Sequence, residues 1–220
     1  MKKSEFKAIK DSIFKSADGK HSYKIPYIYT PEISLVEDAD MPTLTQDSMH
    51  DVKDHFDNLK ASHLNKGGTG IIFGTFDNLH AGHKTMLSTA SSVCDSLYIG
   101  IEDQQTALTR KNNKHPILPN EERLKGLRDF GITKPDHVFV RTRAIDAIKE
   151  LEENGVNITT LIVGESQNDN PEMLEAVEYC LSKGMQVVAT TRLQTKDKKF
   201  KISSSTLHKQ GKARTEKPKR

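Results

Sequence analysis

Tryptophan is absent from the 220 residues, and cysteine occurs only at Cys94 and Cys180. Two cysteines so far apart, with no leader pattern ahead of them, exclude the disulfide framework of small secreted domains and point to a reducing, cytoplasmic setting. There is no CxxC, so a structural zinc site, which takes four ligands, lacks its usual sulfur pairs. No apolar run approaches the ~20 residues needed to cross a bilayer. No GxGxxG follows a strand pattern and no GxxxxGK[ST] occurs, so dinucleotide redox chemistry and P-loop phosphoryl transfer both lack their phosphate cradles. Long repeats and low-complexity tracts are also missing.

The charge that is present is unevenly spread. The net charge is +3, yet Lys196 to Arg220 alone holds ten Lys/Arg and two Asp/Glu, which leaves the rest of the chain net negative. A basic end of this kind suits phosphate or nucleic acid, or is simply a solvated tail.

Three regions follow from the pattern. Residues 1–66 read as an N-terminal extension. In it Phe6, Ile9, Ile13 and Phe14 would line a short helix, 17–46 would be loop around Pro26, Pro31 and Pro42, and Met49, Val52, Phe56 and Leu59 would form one amphipathic helix behind Asp47 or Ser48. Lys2, Lys3 and Lys7 would suit a transit peptide, but Glu5 and Asp11 speak against one. Residues 67–212 alternate strand and helix. Strands are expected at 70–73, 96–101, 137–141, 160–163 and 186–191, with helices at 84–94, 121–130, 145–154, 171–183 and 204–210. That alternation predicts an α/β fold, a Rossmann-like doubly wound parallel sheet of five strands, with ligands at the carboxyl ends of the strands. Residues 213–220 form the basic tail.

Two stretches carry chemistry. The first is Gly74-Thr75-Phe76-Asp77-Asn78-Leu79-His80-Ala81-Gly82-His83, a turn between a buried strand, Ile71-Ile72-Phe73, and a helix. Free N–H groups and the helix dipole favour an anion there. His80 and His83 add hydrogen-bond donors, and Gly82 permits close approach of a ligand to the backbone. Two solvated histidines on a surface turn, or a zinc pair, are the competing readings. The second stretch is Lys199-Phe200-Lys201-Ile202-Ser203-Ser204-Ser205-Thr206. One hydroxyl suffices to cap a helix, whereas this run of hydroxyls behind two lysines suits phosphate oxygens. Between them, Arg110, Lys111 and Lys114 sit in what reads as a polar loop after the second strand.

With Lys84-Thr85-Met86-Leu87, Glu102-Asp103, Lys111, Pro119 to Arg123 and Ile202 to Thr206 in this order, the chain resembles the HxGH nucleotidyltransferase superfamily. Within it, the chain looks most like eukaryotic and archaeal phosphopantetheine adenylyltransferases, over roughly residues 68 to 212. It departs from that pattern at Phe73-Gly74, where the family has Gly-Gly, and at Val163-Gly164-Glu165-Ser166-Gln167. The resemblance implies adenylyl transfer from ATP to 4'-phosphopantetheine, giving dephospho-CoA and pyrophosphate, with Mg²⁺ as cofactor and with no nucleic-acid or membrane partner. It implies His80, His83, Lys111 and Thr75 as catalytic residues. Gly74, Phe76, Asp77, Gly82, Arg123, Ser203, Ser204 and Ser205 would bind ATP, Thr75, Lys111 and Lys114 would bind the acceptor, and no residue would be a dedicated metal ligand. The rival is a CTP-dependent cytidylyltransferase acting on phosphocholine, phosphoethanolamine or glycerol 3-phosphate, whose RTEGIST motif is not found here. A class I aminoacyl-tRNA synthetase needs a longer chain. A non-catalytic nucleotide-binding regulator would have no use for both histidines and all the serines.

Overall fold

A computed structural model describes residues 11–15, 22–28, 67–112, 116–164, 167 and 170–190. The sequence Thr69–Gly74 (β3) is an apolar run with small residues at both ends, and its four central residues are buried. Burial on both faces is what a central parallel strand requires. It pairs in parallel with Ser96–Glu102 (β4) on one side and Ile158–Gly164 (β6) on the other. Val138–Arg141 (β5) lies outside β4, and Gln186–Thr190 (β7) outside β6. All five expected strands are therefore present, and their order is β7-β6-β3-β4-β5.

Helices cover both faces. Ala81–Val93 (α1) and Asn120–Phe130 (α3) pack Leu87, Ala90, Val93 and Leu127 onto Ile72, Ile99 and Ile101. Ala144–Glu153 (α4) and Pro171–Ser182 (α5) pack Ile145, Ile148, Met173 and Val177 onto Ile71, Phe73 and Leu161. Fully burying one such side chain contributes roughly 1.5–3 kcal/mol. Alternate residues of β3 thus feed opposite layers, which is the doubly wound arrangement. Because the chain runs from β3 outward to β5 and returns to β6 on the other side, strand order switches at the carboxyl end of β3.

The extension differs from its expected form. Asp11–Lys15 (β1) and Ser22–Ile28 (β2) are strands, not helix and loop. They pair antiparallel with each other, and β2 joins β7 in parallel through Tyr27↔Ala189 and Ile28↔Thr190. The sheet therefore has seven strands in all. Ile25, 1% exposed, belongs to the α4–α5 core. Ile13 and Phe14 fit a helix by spacing, but they pair with Lys24 and Tyr23 of the neighbouring strand, which a local pattern cannot show; Phe6 and Ile9 lie outside the described residues. The helix expected at 48–60, the one at 204–210 and the basic tail lie outside the described residues. Among the described residues no helix is long and apolar enough to cross a membrane.

Candidate active site

The turn leaving β3 is tight. Phe76 and Asn78 both have positive φ, at 48° and 49°. Asn tolerates that conformation, whereas for Phe it is uncommon and needs support from its surroundings. The support is burial: the Phe76 ring is 2% exposed, packs beneath α1 and meets His83 edge-on at 5.3 Å. A Cβ on Gly74 would come within 3.2 Å of that ring, so the glycine admits it.

His80 caps α1, its Nδ1 accepting from the His83 N–H at 3.4 Å. The helix therefore begins three residues earlier than its apolar stripe suggests. The first turn holds no acidic residue that would offset the helix dipole. The two imidazoles stack, with centroids 3.9 Å apart and planes 16° from parallel. Burial lowers the His80 pKa to about 4, against a smaller opposing pull from Asp77. His83 is pushed well below 6.5, first by burial, then by His80 and by the Lys111 charge, with the Asn78 backbone opposing. Both rings are therefore neutral near pH 7. With Nδ1 of His80 accepting, its proton resides on Nε2. Nδ1 of His83 is buried with no hydrogen-bond partner among the described residues. Buried polar atoms without partners are rare, and at a helix N-terminus such an atom suits a ligand.

Lys111 closes Gln104–Arg110 (α2), a helix where a loop was expected. Burial lowers its pKa, and Asp77 and Glu102 oppose that shift. A partly desolvated ammonium close to His83 is a strong attractor for phosphate.

Several residues expected to touch ATP are placed differently. The Asp77 carboxylate is 2% exposed and accepts the Leu118 N–H at 3.0 Å. Arg123 is 3% exposed. Its guanidinium donates to the carbonyls of Leu118, Thr75 and Glu102 and to Asn120 Oδ1, at 3.0, 2.7, 2.9 and 2.5 Å. It ties the ends of β3 and β4 to the start of α3 and is not an open cation. The Phe76 ring is buried and backs His83 from the core side. The Thr75 hydroxyl donates to Glu102 Oε2 at 2.9 Å, so it is already engaged within the protein. Gly82 lies in the first turn of α1, not in the turn ahead of the helix where it was expected. Lys114, Ser203, Ser204 and Ser205 lie outside the described residues.

Three contributors were not foreseen. Glu102, 4% exposed, holds Arg110. Asn120 bridges Asp103, whose pKa it lowers, to the Gln104 N–H. Gln167 spans the switch point, accepting from the Gly164 N–H at 2.7 Å and donating to the Phe73 carbonyl at 2.9 Å. The only sequence signal for Gln167 was that its segment departs from the family pattern. Among the described residues no three His, Cys, Asp or Glu side chains converge on a metal position.

Against known proteins, the cytidylyltransferase-like family matches residues 71–210. Phosphopantetheine adenylyltransferases are similar. The one from Pyrococcus horikoshii is 42% identical over 60 residues, 27% of this chain and 37% of that protein. The one from Thermococcus kodakarensis is 36% identical over 88 residues, 37% of this chain and 53% of that protein. The chain thus spans about half or less of the length of these relatives. An FAD synthase from Pyrococcus horikoshii is 28% identical over 134 residues, 58% of this chain and 83% of that protein. The family match includes the strand, the turn and both histidines, and it runs on past the hydroxyl run. This chain belongs to the cytidylyltransferase-like family.

Proposed function

We propose that the protein transfers the adenylyl group of ATP to 4'-phosphopantetheine, giving dephospho-CoA and pyrophosphate. The observation that carries this reading is the pair of neutral, stacked histidines at the start of α1, with the His83 Nδ1 unpartnered, at the switch point of the sheet. The likeness to phosphopantetheine adenylyltransferases supports the choice of acceptor.

An oxygen of the acceptor phosphomonoester attacks the α-phosphorus of ATP. A new P–O bond forms, the bond to the β-phosphate bridging oxygen breaks, and pyrophosphate leaves with that electron pair. The nucleophile is already ionised near neutral pH, so no strong base is needed. The protein's work is positioning and charge neutralisation. His80 donates from Nε2, and His83 and Lys111 meet the charge that builds on the α-phosphate. Gly82 and the turn from Gly74 bring backbone N–H groups close. Ser203, Ser204 and Ser205 hold the β- and γ-phosphates, and Lys114 assists at the acceptor. Mg²⁺, when bound, would be held chiefly by triphosphate oxygens and water and would neutralise part of their charge.

A second reading keeps ATP and changes the acceptor. The FAD synthase likeness covers more of the chain than the adenylyltransferase matches do, and making FAD by adenylyl transfer calls for flavin mononucleotide. A panel measuring pyrophosphate release, with ATP or CTP as donor and 4'-phosphopantetheine, flavin mononucleotide or phosphocholine as acceptor, separates these readings. ATP with 4'-phosphopantetheine should be fastest. Faster turnover with CTP, or with either other acceptor, overturns the proposal.

A further inference from the structure

The sheet forks at its switch point. β3 keeps its partner β4 to the last residue, Gly74↔Ile101, and β6 keeps β7 to its last, Gly164↔Thr190. Between β3 and β6, however, pairing stops at Ile72↔Ile162. The final two residues of each strand are therefore not paired with one another. Continued one step, the register would set Phe73 opposite Val163. In a parallel ladder the bonds are slanted, so a carbonyl accepts from the N–H one place beyond its partner. The next bond would join the Gly164 N–H to the Phe73 carbonyl.

Those two groups are joined instead through a side chain. Gln167 Oε1 accepts from the Gly164 N–H at 2.7 Å, and Gln167 Nε2 donates to the Phe73 carbonyl at 2.9 Å. The side-chain amide stands in the ladder as an extra peptide group would. It satisfies both backbone groups, which would otherwise have to find each other or water. It also keeps the two strand ends apart by its own width.

The carbonyl held in this way belongs to the peptide that enters the turn. Two residues on, the Thr75 carbonyl accepts from Arg123 Nη1 at 2.7 Å, and the same nitrogen donates to the Glu102 carbonyl at the end of β4 at 2.9 Å. Arg123 thus grips the turn from the β4 side and Gln167 from the β6 side. Gly74 and Thr75 lie between two fixed carbonyls, so the course of the turn toward His80 and His83 is set from both sides of β3. Both Gln167 bonds are to backbone, so it acts through the chain and not on a reacting atom.

We propose that Gln167 is a positioning residue for the transfer: it holds open the fork between β3 and β6 and so aims the turn that carries the two histidines. Misplacing reacting groups by about 1 Å can cost on the order of 10² in rate, so the width of one amide group matters. This inference rests on the adenylyl-transfer reading above but not on the identity of the acceptor.

The test is steady-state kinetics of the full chain with ATP and 4'-phosphopantetheine. Gln167→Met keeps the length of the side chain and makes neither bond. Its kcat should fall about tenfold or more, while both KM values stay within about threefold. Gln167→Glu separates positioning from stability. Its carboxylate still accepts from the Gly164 N–H but has no proton for the Phe73 carbonyl, whereas the protonated acid restores both bonds. The ratio of variant to parent kcat should therefore climb several-fold as pH is lowered from about 8 to about 6, toward the range where a carboxyl takes up its proton. Taking the ratio cancels the titrations that variant and parent share. Circular dichroism and urea titration follow folding in both variants, and if Gln167→Met does not fold, the Gln167→Glu ratio decides. Parent-like kcat in the folded variants, with stability alone reduced, would overturn the proposal and leave the bridge a brace for strand ends. A ratio that does not move with pH overturns it too, as does a rise in either KM at unchanged kcat. Parent protein that turns over flavin mononucleotide but not 4'-phosphopantetheine overturns the acceptor reading, and the variants are then judged on flavin mononucleotide. Parent protein inert on both overturns the adenylyl-transfer reading and this inference with it.

Discussion

The two histidines define the site because burial keeps them neutral. A neutral imidazole donates one hydrogen bond without presenting a fixed charge to the incoming triphosphate, and gains most where negative charge builds up during transfer. His83→Ala should therefore lower kcat by on the order of 10², with a smaller change in ATP KM; near-normal kcat would remove His83 from the chemistry. Neutrality also has a cost in acid. The unfolded chain protonates His80 near pH 6.5, while the folded protein resists until about pH 4. The unfolded state thus binds more protons in between, so stability is complete above about 6.5 and falls as pH drops toward 4, by roughly 3 kcal/mol for this one ring. His80→Asn keeps an oxygen for the helix cap but does not titrate there. Its melting temperature should fall less steeply than the parent's between pH 6.5 and 4, and equal slopes would contradict the assignment. The spacing of His80 and His83 was readable in the sequence. The roles of Phe76, Asp77 and Arg123 were not, because spacing places a residue in a turn without saying whether its side chain turns outward or into the protein.

Among the elements, β3 and α1 matter most, since the turn between them is only as rigid as their packing. Gly70 lies where α1 ends against the sheet, and a Cβ there would fall 2.2 Å from Cys94 Sγ and 3.0 Å from Ile162 Cδ1. Gly70→Ala should cost about 1–3 kcal/mol of stability in urea titration, the range for an overpacked core. Adding Cys94→Ala should recover part of it, and no recovery would place the clash elsewhere. Long periodic elements were easy to read. Each of the five core strands and four of the helices appear within a few residues of their expected limits. The helix α2 was not, because Gln104–Arg110 buries only Ala107 and so carries no apolar stripe. Asp103 starts it through a side-chain cap to the Gln105 and Thr106 N–H groups, a local signal overshadowed by the polar sequence around it.

For the whole molecule, the described structure places β1 and β2 in the same sheet as β3 and β4. Ile25, in the core, couples that hairpin to α4 and α5. Ile25→Ala should therefore destabilise the protein by about 2–5 kcal/mol and lower the melting temperature of the whole chain in one transition. A separate early transition would instead make residues 1–66 an independent unit. Lying at the β7 side of the sheet, this hairpin supports the fold without lining the turn from Gly74 to His83. The reaction proposed for this turn moves an adenylyl group from ATP to a phosphomonoester. Mass analysis of the products from ATP and 4'-phosphopantetheine, with parent and His83→Ala protein side by side, tests it most directly. The expected result is dephospho-CoA and pyrophosphate in equal amounts from the parent, with formation of both slowed by on the order of 10² in the variant. Pyrophosphate without dephospho-CoA, or equal rates from the two proteins, would contradict it.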